Sequence, residues 1–350
     1  GKPAWTFQTV HKDVWDYDLG SQPTLVNLPD GTPALVLASK QGEIYVLDRR
    51  TGKPLHRVIE KPAPTGGAEP EQRSPTQPYS AFATLKKPNL TEADMWGMSP
   101  IDQMICRIQY RKADYAGYYT PPSENHSIEY PGYNGGSDWG SVAVDPARGV
   151  IVANYNDMPN YVQLVPRAVA DKKGWEPRGP QGNTGGGKAE GAGDPQAGVP
   201  YAIDVNAGWR MPFTGLLCKQ PPYGGITAID LTTGKTIWDR PFGTARKNGP
   251  FGIASHLPVT IGTPNNGGAV VTAGGLIFVA ATTDDLIHAI DLQTGKMLWT
   301  AALPGGGQAN VMTYEEGGRQ YVVVMAGGHH FMQTKVSDAV VAFALPDTTT

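Results

Sequence analysis

The chain has 350 residues, 17% of them charged, and a formal net charge of −3. A chain of this length and composition can bury a large hydrophobic core, in one domain if the fold is all-β. This near-neutral balance, with no basic cluster, argues against a nucleic-acid partner. No apolar run approaches the roughly 20 residues that cross a bilayer as a helix. The 44 glycines and 31 prolines favour many turns and long ordered loops over long helices.

The first informative segment is residues 11–18, His-Lys-Asp-Val-Trp-Asp-Tyr-Asp, which sets carboxylates beside aromatic rings. In an extended chain Asp16 and Asp18 lie on the same side. Together with Asp13 they offer hard oxygen ligands for a cation and a base close to it. A solvated turn, in which Asp accepts hydrogen bonds from backbone amides, is the alternative. Both interpretations stay open at this point.

A hairpin pattern recurs along the chain: an apolar strand, then Asp, three residues, Gly and a second strand. The copies run from Asp48 to Gly52, Asp145 to Gly149, Asp230 to Gly234 and Asp291 to Gly295. The Asp side chain closes such a turn, and Gly takes the positive φ that it needs. The spacing of the last two copies is typical of a four-stranded propeller blade, so we expect each copy to mark one blade. Residues 339–345 repeat only the strand half and are expected to form a closing strand.

Two long insertions are predicted, at about residues 60–138 and 171–222, because both stretches are rich in Gly, Pro and polar residues. Long ordered loops on a rigid β scaffold often carry binding surfaces. The predicted fold class is therefore all-β, a β-propeller for which residues 1–350 supply roughly four blades with long loop insertions. Four blades and one further strand leave sheet edges unpaired, so we expect this chain to be part of a larger propeller.

Two charged residues fall in predicted inner turns. Lys40 precedes the anchor Asp48, and Asp284 precedes the anchor Asp291. If the inner turns lie on one face, Lys40, Asp284 and residues 11–18 converge at the axial mouth of the ring. Ordinary solvated turn chemistry is the alternative for both residues.

The remaining reactive residues give weaker signals. Cys106 and Cys218 lie outside any metal-binding spacing, which leaves a long-range disulfide and two buried thiols as alternatives. His329 and His330 follow an apolar strand, on which neighbouring side chains point to opposite faces, so at most one of them is expected to reach a given site. The chain has no dinucleotide-binding, P-loop or H-E-x-x-H motif.

Seven segments together resemble the C-terminal part of the propeller domain of the membrane-bound pyrroloquinoline quinone (PQQ) dehydrogenases of the glucose, quinate and shikimate group. They are WTFQTVH (5–11), VWDYD (14–18), KQG (40–42), TPPS (120–123), CKQP (218–221), GGGQA (305–309) and AGGH (326–329). The resemblance covers nearly the whole chain. It implies a propeller of eight blades when complete, whose earlier blades lie outside these residues, in the same or another polypeptide.

The resemblance implies a role for five residues. Asp16 matches the catalytic base that accepts the substrate hydroxyl proton as hydride passes to PQQ. Lys40 matches the cation that contacts the quinone oxygens, and Asn154 matches a polar residue near the cofactor. Asp284 and His329 match residues that shape the active-site mouth.

The same resemblance implies a metal ion and partners. Asp16 and Asp18 are implied ligands of a divalent cation, Ca²⁺ or Mg²⁺, whose other ligands lie outside this chain. Electrons are expected to pass to ubiquinone through a membrane anchor that these 350 residues do not include. The implied location is the periplasmic face of a bacterial inner membrane.

The substrate is predicted from two segments, residues 133–139 and 154–160, which are more similar to quinate and shikimate enzymes than to glucose enzymes. They predict oxidation of a secondary alcohol of a cyclic polyol. A carboxylated substrate would bind a cationic partner, for which Arg107, Arg167, Arg210 and Lys219 are candidates. A PQQ glucose dehydrogenase is the alternative within the group, and a non-catalytic propeller scaffold is the alternative from another class.

Overall fold

The computed structural model describes residues 1–175, 194–195 and 198–346. In these residues the strands are β1 (Thr24–Asn27), β2 (Pro33–Ala38), β3 (Ile44–Asp48), β4 (Val58–Pro62), β5 (Thr76–Ser80), β6 (Ser127–Glu129), β7 (Ala143–Asp145), β8 (Val150–Asn156), β9 (Asn160–Pro166), β10 (Asp194–Pro195), β11 (Tyr201–Asn206), β12 (Gly224–Asp230), β13 (Thr236–Pro241), β14 (Val270–Val271), β15 (Leu276–Val279), β16 (Leu286–Asp291), β17 (Met297–Ala302), β18 (Met312–Glu316), β19 (Arg319–Ala326) and β20 (Ala339–Ala344). The helices are α1 (Pro100–Lys112), α2 (Arg167–Lys172) and 3₁₀ turns at Pro70–Gln72, Glu92–Asp94, Ala245–Lys247 and Pro250–Gly252.

Four antiparallel sheets follow one another along the chain, and we call them blades 1 to 4. Their strand orders are β1-β2-β3, β13-β12-β8-β7, β14-β15-β16-β17 and β18-β19-β20. Each blade packs its face against the next, because separate apolar clusters fill the spaces between blades 1 and 2, 2 and 3, and 3 and 4. Strand β3 is buried along its whole length, as expected for a strand covered on both faces. The predicted all-β propeller architecture is confirmed.

The turn chemistry of the repeated hairpin is also confirmed. At the hairpin of β12 and β13, Oδ1 of Asp230 accepts hydrogen bonds from the backbone N–H groups of Thr232 at 3.0 Å and Thr233 at 2.6 Å. Gly234 has φ of 68°, in the left-handed region that favours glycine. The sequence pattern therefore identified the tight turns correctly.

The expectation that each hairpin marks one blade is wrong. The Asp145 and Asp230 hairpins belong to the same blade, because β8 and β12 pair directly, from Gly224 opposite Asn156 to Asp230 opposite Val150. The strand expected to close the ring, β20, instead pairs with β19 inside blade 4. An Asp-to-Gly turn reports a local hairpin, whereas a blade is defined by strand pairing across any insertion.

The two insertions combine into a further sheet. The first contains the β4–β5 hairpin, which begins at residue 58, and also α1 and β6. The second leaves blade 2 after β8, so it starts at residue 157 and not at the predicted 171; residues 176–193 and 196–197 of it lie outside the described part. Strand β6 pairs with β9, which pairs with β11, giving the order β10-β11-β9-β6. We call this the insertion sheet.

A disulfide joins Cys106 of α1 to Cys218 in the second insertion, with a Cα–Cα distance of 5.4 Å. It resolves the two alternatives that the sequence left open. The bridge lies in an apolar cluster with Met95 and Trp209, and the Trp209 ring stacks on Tyr161 at 5.0 Å between centroids. The two insertions thus share a core of their own.

Within the part of the chain described, no helix combines the length and the apolar character needed to span a membrane.

Candidate active site

The acidic segment is anchored by its two aromatic residues. Trp15 and Tyr17 are buried, and each donates one hydrogen bond into the first insertion: Trp15 Nε1 to the carbonyl of Thr120 at 2.7 Å and the Tyr17 hydroxyl to the carbonyl of Pro131 at 2.6 Å. The carboxylates between and after them are therefore directed outward, and the side chains of Asp16 and Asp18 are 65% and 58% exposed. Both carboxylates contact Nζ of Lys40, so they lie on the same side of the segment.

Asp16 takes an unusual backbone conformation, with φ of 60°. A residue with a Cβ rarely adopts this left-handed region, and such residues concentrate at functional sites. Just before it, Oδ1 of Asp13 accepts a hydrogen bond from the Trp15 N–H at 2.9 Å. The turn interpretation of the acidic segment therefore holds for Asp13, while Asp16 is held with its carboxylate outside that turn.

Lys40 lies in the turn between β2 and β3, where Gly42 has φ of 84° and donates its N–H to the carbonyl of Ser39 at 2.9 Å. The residue is only 9% exposed. Its Nζ lies 3.1 Å from Oδ2 of Asp16 and also contacts Oδ1 of Asp18. The structure thus brings together three of the six predicted site residues around one ammonium group.

Burial and pairing oppose each other in this cluster. Burial raises the pKa of Asp16, and the positive charge of Lys40 reduces this increase without cancelling it. For Lys40, burial lowers the pKa, but the hydrogen bond to Asp18 and the charge of Asp16 together raise it above its ordinary value. The ammonium group therefore stays protonated at neutral pH.

A further carboxylate, Asp138, faces the same cluster, and the sequence did not single it out. Burial raises the pKa of Asp138 to about 6, with Lys40 opposing and Asp18 adding to the rise. Its position depends on Gly20, since a Cβ there would lie 2.3 Å from Asp138 Oδ1. The signal for Asp138 was a carboxylate two residues after the Gly135-Gly136 pair, of which Gly135 packs closely against Lys40.

Asn154 and Asp284 lie on neighbouring blades, and both are engaged in hydrogen bonds. Nδ2 of Asn154 donates to Oδ1 of Asn265 at 2.8 Å and to the carbonyl of Gly267 at 2.9 Å. Oδ2 of Asp284 accepts from the N–H and the hydroxyl of Thr244 at 2.8 and 2.9 Å. Asp284 is buried, so its carboxylate is paired inside the chain and is not that of a solvated turn residue.

His329 contacts the site indirectly, because its ring packs against Trp139. Its ring centroid lies 5.3 Å from that of Trp139, the neighbour of Asp138. The Trp139 Nε1 donates to the carbonyl of Gln308 at 3.1 Å, and Gln308 in turn contacts the β15–β16 turn. His329 and His330 follow β19 in an irregular segment, so the strand alternation expected for them does not apply; their rings lie 5.4 Å apart.

A cavity of about 380 Å³ adjoins Asp16. Its lining residues come from the acidic segment, the first insertion and the insertion sheet, and they are Asp13, Val14, Trp15, Asp16, Pro122, Glu129, Tyr133, Val162 and Ile203. Three strands of the insertion sheet contribute one residue each, Glu129 from β6, Val162 from β9 and Ile203 from β11. The two insertions therefore form a wall of the candidate site.

Glu129 is the residue of this cavity that sequence reasoning missed. It is 6% exposed, and burial raises its pKa well above the usual range for a glutamate. Its Oε2 accepts a hydrogen bond from Nδ2 of Asn160 at 3.2 Å. A single glutamate in a short strand gives no signal of its own, since only the pairing of β6 with β9 brings it to the cavity.

The cavity is acidic. Asp13, Asp16 and Glu129 line it, and its described lining residues include no Lys, Arg or His. The cations predicted to hold a carboxylated substrate have other partners. Nζ of Lys219 is 3.0 Å from Asp157, the guanidinium of Arg107 is 2.6 Å from Glu92, and Arg210 and Arg167 donate to backbone carbonyls. The lining itself thus offers a carboxylate no positive charge.

The carboxylates near Lys40 are the type of ligand that a hard cation such as Ca²⁺ prefers. Asp16 and Asp18 converge on one point, and Ca²⁺ binds six to eight oxygen atoms, with carboxylates preferred. However, the described residues contain no group of three or more His, Cys, Asp or Glu placed to hold a metal ion. Two carboxylates are not a complete ligand set for such an ion.

Comparison with known proteins matches most of the chain to one protein family. The family model described as "PQQ: Glucose/ethanol/alcohol dehydrogenase, beta-propeller domain" matches residues 1–322. The chain is 58% identical to the glycerol dehydrogenase large subunit of Gluconobacter oxydans (strain 621H), over 99% of this chain and 48% of that protein. It is 43% identical to a probable quinate dehydrogenase (quinone) of Xanthomonas campestris pv. juglandis, over 99% of this chain and 44% of that protein.

Solved structures give the same architecture. A europium-containing methanol dehydrogenase aligns with a TM-score of 0.50 and 25% identity, covering 90% of this chain and 41% of that one. The chain spans just under half the length of the curated relatives named above.

Proposed function

Because the chain belongs to the PQQ-type glucose/ethanol/alcohol dehydrogenase family of β-propellers, we propose that it carries part of the active site of a PQQ-dependent dehydrogenase that oxidises an alcohol group. The observation that carries the proposal is the contact of Lys40 with Asp16 and Asp18, next to a cavity that Asp16 lines. A base beside a fixed cation and an open cavity is what removal of a hydroxyl proton needs.

Asp16 is the proposed general base. Its carboxylate is exposed toward the cavity and accepts the proton of the substrate hydroxyl. The left-handed backbone and the buried Trp15 and Tyr17 side chains hold it in place before substrate arrives. Lys40 favours the ionised form of this carboxylate, which is the form that accepts a proton.

Lys40 is the proposed cofactor-binding cation. PQQ, when bound, would accept the hydride from the alcohol carbon, and with it the two electrons of the oxidation. An ammonium group held in one position by two carboxylates fits an electron-rich quinone oxygen as a hydrogen-bond donor. Asn154 uses both of its side-chain N–H groups, and Asp284 uses its carboxylate, in hydrogen bonds within the chain. We therefore propose that these two residues support the inner turns. His329 and Trp139 are proposed to lie at the mouth of the active site.

A divalent cation remains part of the proposal. Asp16 and Asp18 would provide two of its oxygen ligands, and the other ligands would come from outside the described residues. Ca²⁺ and Mg²⁺ both accept such carboxylates, and nothing in the two donors separates them.

The substrate that we propose is a neutral polyol. A carboxylate such as quinate or shikimate would find no Lys, Arg or His among the described lining residues, whereas neutral hydroxyl groups can hydrogen-bond with the carboxyl groups that line the cavity. The relative at 58% identity is named a glycerol dehydrogenase, which agrees with a neutral polyol. Quinate or shikimate is the second candidate, favoured by residues 133–139 and 154–160 and by the relative at 43% identity. Glucose, a neutral polyol in cyclic form, is a third.

The disulfide supports the proposed location. Bridges such as Cys106–Cys218 form and persist in oxidising compartments, including the bacterial periplasm. We therefore keep the periplasmic face of the inner membrane as the proposed location and ubiquinone as the proposed electron acceptor, reached through a membrane anchor outside this chain.

The test uses the full-length protein loaded with PQQ and Ca²⁺, with turnover followed by reduction of a dye. Glycerol, glucose, quinate and shikimate are compared as substrates. Asp16→Asn should lower kcat by at least about 100-fold while PQQ, titrated by absorbance, still binds. Asp30→Asn, an exposed carboxylate in the β1–β2 turn, is the matched control and should behave as wild type. Failure of the wild-type protein to bind PQQ would instead favour the scaffold alternative.

A further inference from the structure

Glu129 is the one carboxyl group of the cavity that has an unused oxygen atom deep inside the protein. Its Oε1 is buried and has no hydrogen-bond partner among the described residues. A buried polar atom left unpaired is costly, so native structures usually provide a partner in the form of protein, water or ligand. Glu129 also lines the cavity, so a ligand in the cavity is a candidate partner for this oxygen.

The second oxygen of Glu129 is fixed by its neighbour across the sheet. Glu129 lies opposite Asn160 in the pairing of β6 with β9, and Nδ2 of Asn160 donates to Oε2 at 3.2 Å. The orientation of that amide is itself determined, because Oδ1 of Asn160 accepts the N–H of Gly208 at 2.9 Å. Glu129 therefore cannot exchange its two oxygens freely, and Oε1 is the one left for a ligand.

The cavity has room for a small polyol and sets Glu129 and Asp16 in one lining. The other lining side chains from the insertion sheet, Val162 and Ile203, are apolar and offer a hydroxyl no hydrogen bond. A second polyol hydroxyl that lies beside these apolar residues costs free energy unless it is paired, and Glu129 is the polar residue that the insertion sheet contributes to the lining.

We propose that Oε1 of Glu129 binds a second hydroxyl of the polyol, one that is not oxidised, and so makes Glu129 a specificity-determining residue. The inference rests on the proposed function, since it takes the cavity beside Asp16 as the substrate site. It assigns selection of the substrate to the insertion sheet and the chemistry to residues 16 and 40.

The burial of Glu129 supports a particular hydrogen-bond direction. Burial favours the protonated carboxylic acid, and Oε2 already accepts from Asn160, so the proton belongs on Oε1. Oε1 then donates to the substrate hydroxyl oxygen. Glutamine retains this arrangement, with its carbonyl toward Asn160 and its N–H toward the cavity, whereas alanine removes it.

The experiment compares glycerol with propane-1,2-diol, which lacks one terminal hydroxyl, in the full-length protein with PQQ and Ca²⁺. Wild type should favour glycerol in kcat/KM by roughly tenfold to a hundredfold. Glu129→Ala should bring this ratio close to one, mainly by raising KM for glycerol, and Glu129→Gln should restore most of it. Asp204→Asn, one residue along β11 from Ile203 and therefore on the opposite face, is the control and should keep the wild-type ratio.

Direct binding separates this inference from the proposed function. Titration of the PQQ-free protein with each compound, followed by ligand-observed NMR, should show the same preference for glycerol and its loss in Glu129→Ala. If wild type binds glycerol in this way but oxidises no alcohol, the proposed function fails, whereas the binding of a polyol hydroxyl by Glu129 stands. If wild type oxidises glycerol and Glu129→Ala binds PQQ normally but keeps the wild-type ratio, the inference is overturned. An absence of discrimination in the wild type overturns it as well.

Discussion

Nζ of Lys40 lies 3.1 Å from Oδ2 of Asp16 and joins the β2–β3 turn of blade 1 to the acidic segment that precedes the blade. The ammonium is the positive charge that these two neighbouring carboxylates share, since Asp18 contacts it too. Substitution Lys40→Met should therefore weaken PQQ binding by about 10–100-fold, which corresponds to the loss of one charge-assisted hydrogen bond. Absorbance titration with PQQ measures it.

Lys40→Arg is the control for charge in that experiment. It keeps the positive charge but changes the shape of the donor, so binding should fall between wild type and Lys40→Met. Wild-type affinity in Lys40→Met would contradict a role for Lys40 in holding the cofactor.

A second ion pair joins the first insertion to Glu43, the residue between the Lys40 turn and β3. Lys86 pairs with Glu43, both are buried, and Nζ of Lys86 also lies 4.3 Å from the ring centroid of Tyr79 and 4.6 Å from that of Tyr118. Glu43→Gln leaves a buried ammonium without its counter-charge and should lower the free energy of unfolding by about 3–5 kcal/mol. Denaturant midpoints provide the measurement.

The double variant Glu43→Gln/Lys86→Met tests the cause of that loss. Without the ammonium there is no uncompensated charge, so most of the stability should return. A double variant as unstable as Glu43→Gln would show that the packing of Glu43, and not the charge of Lys86, matters.

Local chemistry made part of this fold and site predictable. The Asp-to-Gly turns follow from hydrogen bonding within a few residues, as at Asp230 and Gly234. The position of Lys40 follows from counting back from Asp48 to its turn, and the common side of Asp16 and Asp18 is set by residues 16–18 themselves, although Asp16 is not extended. Each of these features depends on residues close together in sequence.

The rest depends on pairings between distant segments. The second blade could not be delimited because β8 and β12 pair across the whole second insertion. Glu129 reaches the cavity only because β6 and β9, from different insertions, pair with each other. Asp284 was predicted at the correct turn, but the donors from Thr244, in the preceding loop, were not foreseeable from its own neighbours.

The disulfide should stabilise the wall of the cavity more than the blades. Cys106 and Cys218 belong to the two insertions, and the bridge lies in their common apolar cluster. The variant Cys106→Ser/Cys218→Ser should lose about 2–4 kcal/mol of stability, with the loss concentrated in the insertions. Limited proteolysis followed by mass spectrometry should find new cleavage sites within residues 82–138 and 157–223. Faster cleavage inside β1–β3 would mean that the blades depend on the bridge as well.

Asp138 should make stability depend on pH. Its pKa is raised to about 6 in the folded protein, mainly by burial, whereas an unfolded aspartate titrates near about 3.9. A raised carboxyl pKa contributes stability that is fully present below the unfolded value and is lost as pH rises through the folded value. Asp138→Asn removes this loss, so in the cofactor-free protein its free energy of unfolding relative to wild type should rise between pH 4 and pH 7, by about 2 kcal/mol.

Asp30→Asn is the control for that pH profile. Hydrogen bonding to Thr32 lowers the pKa of Asp30, so the stability that Asp30 contributes is lost as pH falls. This pH dependence is opposite in direction to that of Asp138. Denaturant midpoints at pH 4, 5, 6 and 7 for the three proteins decide the matter. Parallel curves for wild type and Asp138→Asn would show that the pKa of Asp138 is the same in the folded and the unfolded protein.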